Sequence, residues 1–444
     1  TLGQKLARAI GTSQIRSSRQ LRTEISNIRS SIREVEAEIG RRSRQLESFA
    51  SPAPASLDVI QGQVLDSETM LLEYSLAERH SYLWAVTSKG VRSFVLPPRK
   101  IIESLARKYL ASLSSANGSL AAGKSLRTIL LSQIPVIPGI KRYLIVADGS
   151  LQLVPLGALP DRSGTPLLQS KEVVSIPSVS SLLAVRKRSP EGKSADNSIA
   201  IIADPVFDAK DERIVSIKLR PLPEKSGTVA SPADLNRILL TKIAKTSLSG
   251  AIPRLPGTRV EAEAIAALST GHPVKIQMDF SADRSFLFGE DIGRFSYLHL
   301  ATHGFLNPEV PELSGLVFSL VNKAGASVNG LLLSPEVYQL RLPNTELVVL
   351  SACETGQGKL LAGEGVVGLT SGFMYAGARR VVVSHWSVSD VATAELMKRF
   401  YQKLFKNGLA PAAALRAAQL EMRQIPKWSS PYYWAAFELQ GEFK

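Results

Sequence analysis

The stretch Leu347-Val348-Val349-Leu350-Ser351-Ala352-Cys353-Glu354-Thr355-Gly356, continued to Asp390, decides the reading of this chain. Leu347 to Leu350 is a short apolar run rich in β-branched residues, the composition of a strand buried on both faces. It ends at Cys353, the only cysteine in the chain. A glycine-rich loop follows. Val366 to Ala378 then reads as a helix, and Arg379 to Ser384 as a second buried strand. Strand, loop, helix and strand in this order are the unit of a parallel α/β sheet, whose ligand crevice lies beyond the carboxyl ends of the strands. A second strand, Phe295 to Thr302, ends in His303-Gly304. If the two strands are neighbours, thiol and imidazole meet at one sheet edge, as a cysteine nucleophile requires.

Outward from this core, 444 residues, 44% of them hydrophobic and 21% charged, suit a globular protein of two or three domains. No apolar run approaches a membrane span, and no signal peptide opens the chain. The first residue is Thr1 rather than Met, so further sequence upstream is expected. A single cysteine excludes intrachain disulfides and fits a reducing, cytoplasmic setting. The net charge of +14 is read as a basic solvated surface rather than a nucleic-acid footprint, because no nucleic-acid module is visible and aromatics are only 6%.

Residues 1–50 read as one long helix. Leu21, Ile25, Ile28, Ile32, Val35 and Ile39 alternate four and three apart, and Leu46 continues the series. This apolar seam wants a groove or a partner helix, and residues 1–49 could meet an activating partner or an upstream repeat domain. Ser51-Pro52-Ala53-Pro54 ends it. From residue 56 to 250 a strand-and-helix rhythm has no cysteine at any strand end, and Phe207 to Gly250 reads as an irregular excursion. Residues 251–444 form the second half. Within it Ser281 to Phe288 reads as a helix, Gly315 to Val321 as a strand, Asn329-Gly330 as a hairpin turn, and Trp434 to Leu439 as a last strand.

Rival chemistries fail on spacing. His299 and His303 match the spacing of a helical zinc motif, but four residues along a strand span about 13 Å, too far for one metal. Gly363-Glu364-Gly365-Val366-Val367-Gly368 resembles a dinucleotide fingerprint, yet Cys353 to Ala362 separate it from its strand. His299, inside the strand, reads as a core histidine, and His385 could line the cleft. Asp390 reads equally as a helix N-cap or as the carboxylate of a pocket for a basic side chain. Backbone N–H groups at Gly304 and Cys353 could hold an oxyanion.

Ala301-Thr302-His303-Gly304, Leu350 to Gly356, Gly363 to Leu369 and Tyr375-Ala376-Gly377-Ala378 resemble the CHAT-domain peptidases, caspase-like enzymes often joined to tetratricopeptide repeats and related to separase. Val146 to Leu159, Ile176-Pro177-Ser178, Leu255-Pro256-Gly257-Thr258, Ser384 to Asp390 and Pro431 to Phe437 extend the likeness. It implies an α/β, caspase-hemoglobinase fold of mostly parallel sheets flanked by helices. It also implies an inactive first half, a catalytic second half and a His303–Cys353 dyad. By the same likeness Ser351, His385, Trp386, Ser387, Ser389 and Asp390 would meet substrate, with Asp390 favouring arginine or lysine before the scissile bond. His385 departs from the leucine-like residue that the pattern has before Trp386. The family is largely bacterial and works in signalling and defence. The reading is a cysteine endopeptidase acting on protein without cofactor or metal. The alternative is a catalytically silent scaffold that binds partners through its N-terminal helix.

Overall fold

The computed structural model describes residues 54–188, 197–214, 252–305, 313–352, 363–386 and 388–444. The N-terminal seam, most of the Phe207–Gly250 excursion, Cys353 with its loop, and Ser387 lie outside the described residues.

The strands are β1 (Thr69–Ser75), β2 (Ser81–Thr87), β3 (Gly90–Leu96), β4 (Arg142–Val146), β5 (Glu172–Ser175), β6 (Ile199–Pro205) and β7 (Val274–Asp279). They continue with β8 (Tyr297–Ala301), β9 (His303–Phe305), β10 (Gly315–Val317), β11 (Leu331–Leu333), β12 (Leu347–Leu350), β13 (Arg380–Ser384) and β14 (Phe437–Gly441). One mixed sheet of eleven strands runs β3-β2-β1-β4-β5-β14-β13-β12-β8-β6-β7, and a small antiparallel sheet runs β11-β10-β9. In the large sheet β1, β4, β5 and β14 are parallel to one another, as are β13, β12, β8, β6 and β7. The two parallel runs meet at the antiparallel β13–β14 pair. Thus β6, from the first-half side of residue 250, is hydrogen-bonded between β7 and β8 of the second run.

The helices used below are α1 (Arg99–Leu113), α2 (Ala121–Leu131), α3 (Val179–Arg188), α4 (Pro256–Leu268), α5 (Gly363–Ala376), α6 (Asp390–Tyr401) and α7 (Pro411–Gln424). Strand alternation feeds two cores. Ile199, Ile201, Leu347 and Val349 face one cluster with Ala262 and Ile265 of α4 and with Leu396 and Phe400 of α6. Ala200, Ile202, Val348 and Leu350 face the other with Leu369 and Phe373 of α5. Burial on both faces explains why these strands read as continuous apolar runs rather than as alternating ones.

Three local expectations are corrected. The expected helix at Ser281–Phe288 is a 3-10 turn over Arg284–Phe288, opened by Asp283, whose side chain accepts from the Ser285 N–H at 2.6 Å. The strand expected over Gly315–Val321 stops at Val317, because Ser319 and Leu320 turn their N–H groups to the carbonyls of Ala282 and Val206. The hairpin turns at Asn322–Ala326, not at Asn329-Gly330. There the Asn322 side chain accepts from the Ala324 and Ala326 N–H groups at 3.0 Å each, and Gly325 has φ +76°. Gly330 is instead required by crowding, since a Cβ there would lie 2.7 Å from the Phe318 carbonyl oxygen.

Candidate active site

Strands β8 and β12 are parallel neighbours, with Leu300 beside Leu350. Their continuations therefore leave the sheet at the same edge. Beyond β8 the chain enters β9, where His303 pairs with Val317 and Gly304 with Leu316. Beyond β12 it reaches Ser351 and Ala352, both buried. A Cβ on Gly304 would lie 3.4 Å from the Ala352 Cβ, so the two segments touch. The backbone thus brings His303-Gly304 against the residue that precedes Cys353.

His303 is 5% exposed. Its Nε2 lies 2.8 Å from the Pro253 carbonyl oxygen, and the Phe207 ring stands 5.1 Å from its own. A carbonyl can only accept, so Nε2 carries the proton and the neutral ring keeps Nδ1 as its basic nitrogen. The Pro253 carbonyl therefore fixes both tautomer and ring plane.

A charge cluster holds the segment that carries Pro253. Asp204, fully buried at the end of β6, takes a two-pronged pair from Arg254 at 2.9 and 2.7 Å. Arg259 donates to the same carboxylate at 2.8 Å, and Arg213 lies 3.1 Å from it. Arg213 and Arg259 also grip Asp279 at the end of β7. Burial alone would raise the Asp279 carboxyl, but these two guanidiniums hold it below its ordinary range. Asp204 and Asp279 both adopt positive φ, at 47° and 55°, so each strand turns sharply into the cluster.

Beside His303 lies a recess lined by Leu255, Gly257, Thr258, Glu261, Ser351, Asp390 and Thr393. Its free space, about 10 Å³, is that of a single water molecule. Ser389 occupies the N-cap position of α6, and Asp390 is the first helical residue. The Gly257 N–H bonds to the Asp390 carboxylate, whose pKa is nonetheless raised. Burial is the main cause, the neighbouring Glu261 carboxylate adds to it, and His303 opposes it. Glu261, 1% exposed, has Oε1 2.9 Å from His299 Nε2, and His299 Nδ1 lies 3.1 Å from the Tyr401 hydroxyl. The Glu261–His299 approach lacks hydrogen-bond alignment, and among the described residues Glu261 Oε1, Ser351 Oγ and Thr393 Oγ1 are buried without a hydrogen-bond partner. Such atoms, gathered at one recess, favour a donor-rich ligand.

The other sequence-derived residues lie elsewhere. The His385 side chain is enclosed and bonds through Nε2 to Glu438 of β14 at 2.7 Å, while Glu438 also accepts from Ser175 of β5 at 2.6 Å. It ties the end of β13 to β14 and β5 and does not line the recess. The Trp386 indole donates to the Tyr432 carbonyl at 3.0 Å, and Ser389 is exposed. His299 is fully buried, as expected of a core histidine. Sequence reasoning missed Pro253, Glu261 and Thr393. Glu261 left a signal: Thr258, Glu261, Ala262 and Ile265 recur at helical spacing and form the buried stripe of α4, so an acid stands on the apolar face.

The profile of the CHAT domain matches residues 120–442. Human tetratricopeptide repeat protein 28 is 27% identical over 330 residues, 68% of this chain and 12% of that protein. Its mouse counterpart is 37% identical over 111 residues, 25% of this chain and 4% of that protein. The chain thus spans a small fraction of these relatives. Among solved structures, the Saccharomyces cerevisiae separase–securin complex gives a TM-score of 0.47 at 10% identity, covering 90% of this chain and 31% of that one. The Arg-specific cysteine proteinase gingipain R gives 0.40 at 11% identity, covering 77% and 73%.

Proposed function

The chain belongs to the CHAT domain family, and from that premise we propose that it is a cysteine endopeptidase that cuts proteins after a basic residue. The observation that carries the reading is the contact of His303-Gly304 with Ala352 at the shared end of β8 and β12, with His303 held by Pro253 so that Nδ1 is its base. Cys353 follows Ala352 directly. His303 takes the thiol proton, and the thiolate adds to the scissile carbonyl, whose oxyanion would be met by backbone N–H groups at Gly304 and Cys353. His303 then gives the proton to the leaving amine as the C–N bond breaks. Water attacks the thioester, the acid departs and the thiol is restored.

Specificity rests on the recess. Asp390 and Glu261 supply negative charge, and Ser351 and Thr393 supply acceptors that no other described residue uses. A guanidinium carries five N–H donors in a fork and suits this set better than an ammonium with three, so arginine is preferred to lysine. The recess is water-sized, so seating that head moves its walls outward. The surrounding pathway is read as regulatory or defensive, and the working compartment as the cytoplasm.

The test is digestion of a diverse peptide library with cut sites read by mass spectrometry, using the unaltered chain, Cys353→Ala and Asp390→Ala. Cuts after arginine that vanish in Cys353→Ala establish the peptidase. Their loss in a folded Asp390→Ala assigns the recess to specificity. No cleavage together with no labelling of Cys353 by a thiol reagent would leave the scaffold reading in its place.

A further inference from the structure

Among the described residues, part of one face at the outer end of the large sheet is uncovered. The Tyr74 hydroxyl donates to the Leu130 carbonyl of α2, so Tyr74 points to the α1–α2 side. Residues alternate across a strand, so Leu71, Glu73 and Ser75 point the other way. Register carries that face outward: Tyr82 lies beside Ser75, Trp84 beside Glu73, and Val95 beside Tyr82, while Val91 lies beside Val86. On the helix side Leu83 is fully buried and Ala85 nearly so. On the opposite side Tyr82 is 40% exposed, Trp84 36%, Val91 45% and Val95 58%. The Tyr82 and Trp84 rings stack at 6.0 Å. An apolar strip on an edge strand is a surface that natural proteins cover.

The chain arrives on that same side. Arg142 shares the face of Thr69 and Leu71 by register, and its guanidinium lies over the Phe443 ring. Arg186 of α3 lies over the same ring and donates to the Gln63 carbonyl at 2.8 Å. The Ala55 N–H bonds to Ser180 of α3, and the Gln61 side chain donates to the Thr87 carbonyl at 2.9 Å, at the end of β2. Residues 55–63 therefore run along the uncovered face and reach the end of the strip.

We propose that the apolar seam of the preceding segment, centred on Ile32, Val35 and Ile39, docks on Tyr82, Trp84, Val91 and Val95 of its own chain. The dimensions agree. Leu46 and Ala55 are nine steps apart along the chain and can span about 30 Å when extended, so the seam can reach. Tyr82 to Val86 extends about 14 Å, which seats about nine residues of helix, or two to three turns of the seam. The basic residues off the seam then face solvent. This docking ties the N-terminal segment to the first half and is independent of the peptidase reading.

Iodide quenching of the chain 1–444 tests it, because Trp84 is the one exposed tryptophan: Trp386, Trp428 and Trp434 are 8%, 9% and 1% exposed. Docking predicts that iodide fails to quench Trp84 in the unaltered chain at every protein concentration. Ile32→Lys with Ile39→Lys should expose it, and Trp84→Phe should abolish that gain. In a Cys353→Ala background, Val35→Cys with Val95→Cys should form a disulfide within one chain. A Trp84 that is quenched alike with and without the seam changes overturns the proposal. So does protection that appears only as protein concentration rises, or a disulfide that joins two chains, since either would make a second copy the occupant.

Discussion

Gly257 is the position where the recess is most sensitive to one added carbon. It sits in the first turn of α4, against the first residue of α6. A Cβ built there would lie 3.2 Å from the Asp390 Cγ and Oδ2 and closer still to its Cβ. Carbon atoms rest at about 3.5–4.0 Å, so Gly257→Ala forces the two helix starts apart by about 1 Å. Overpacking of this kind costs about 1–3 kcal/mol. Helix propensity acts with the opposite sign, because alanine inside a helix is worth up to about 1 kcal/mol over glycine. The net expectation is a modest fall in stability, read as the melting temperature. The larger effect falls on the recess: a misplacement of about 1 Å is worth about 100-fold in rate. The assay is kcat/KM on a peptide with arginine before the cut, beside one with an apolar residue there. The arginine peptide should lose most. An alanine variant that melts no lower and cleaves the arginine peptide at an unchanged kcat/KM would refute the argument, since the helix starts would then have room to spare.

Asp204→Asn removes the buried negative charge that Arg213, Arg254 and Arg259 share. It should cost about 3 kcal/mol, the lower end for breaking a buried pair, because the arginines are partly exposed. The His303 ring nitrogens, read by nitrogen-15 NMR, should lose the fixed tautomer that Pro253 imposes, and an unmoved His303 spectrum would disconnect the cluster from the site. Asp390 has a raised pKa, so its stabilising contribution is fully present below its ordinary value near 3.8 and is lost as pH rises through the folded value. Asp390→Asn should therefore melt higher than the unaltered chain at pH 7, with the gain shrinking toward pH 3; a gain that grew on acidification would contradict the assigned cause. Gly441, at φ +113°, has the Arg379 carbonyl oxygen 2.6 Å from where a Cβ would stand, so Gly441→Ala should destabilise by more than about 1 kcal/mol, measured by urea unfolding.

Strands β8 and β12 were legible because each is a short, mostly apolar run, and the meeting of His303-Gly304 with Ala352 followed from the two ending at one edge. Glu261 was harder to see. On α4 it reads as one of several surface acids until the helix phase is fixed by Thr258 and Ile265. The Asp204 cluster was not readable at all, since its members come from the end of β6, the following turn, the start of α4 and the end of β7. No local pattern encodes that convergence. His385 shows the same limit. Its place beside Trp386 suggested the cleft, but its partner Glu438 lies on a strand that returns from the far end of the sequence.

That returning strand sets a timetable. The two parallel runs become one sheet only through β14, which joins β5 at Gln440–Ser175 and β13 along its whole length. Residues 437–441 come after every other described strand of the sheet in sequence and so are made after them. Until they emerge, β5 and β13 each keep an open edge, and the Glu438 bonds to Ser175 and His385 cannot form. Contacts this distant in sequence are made late. The crevice edge of the second run therefore takes its final setting only once β14 has been made, and a chain cut before β14 carries both halves without the strand that joins them.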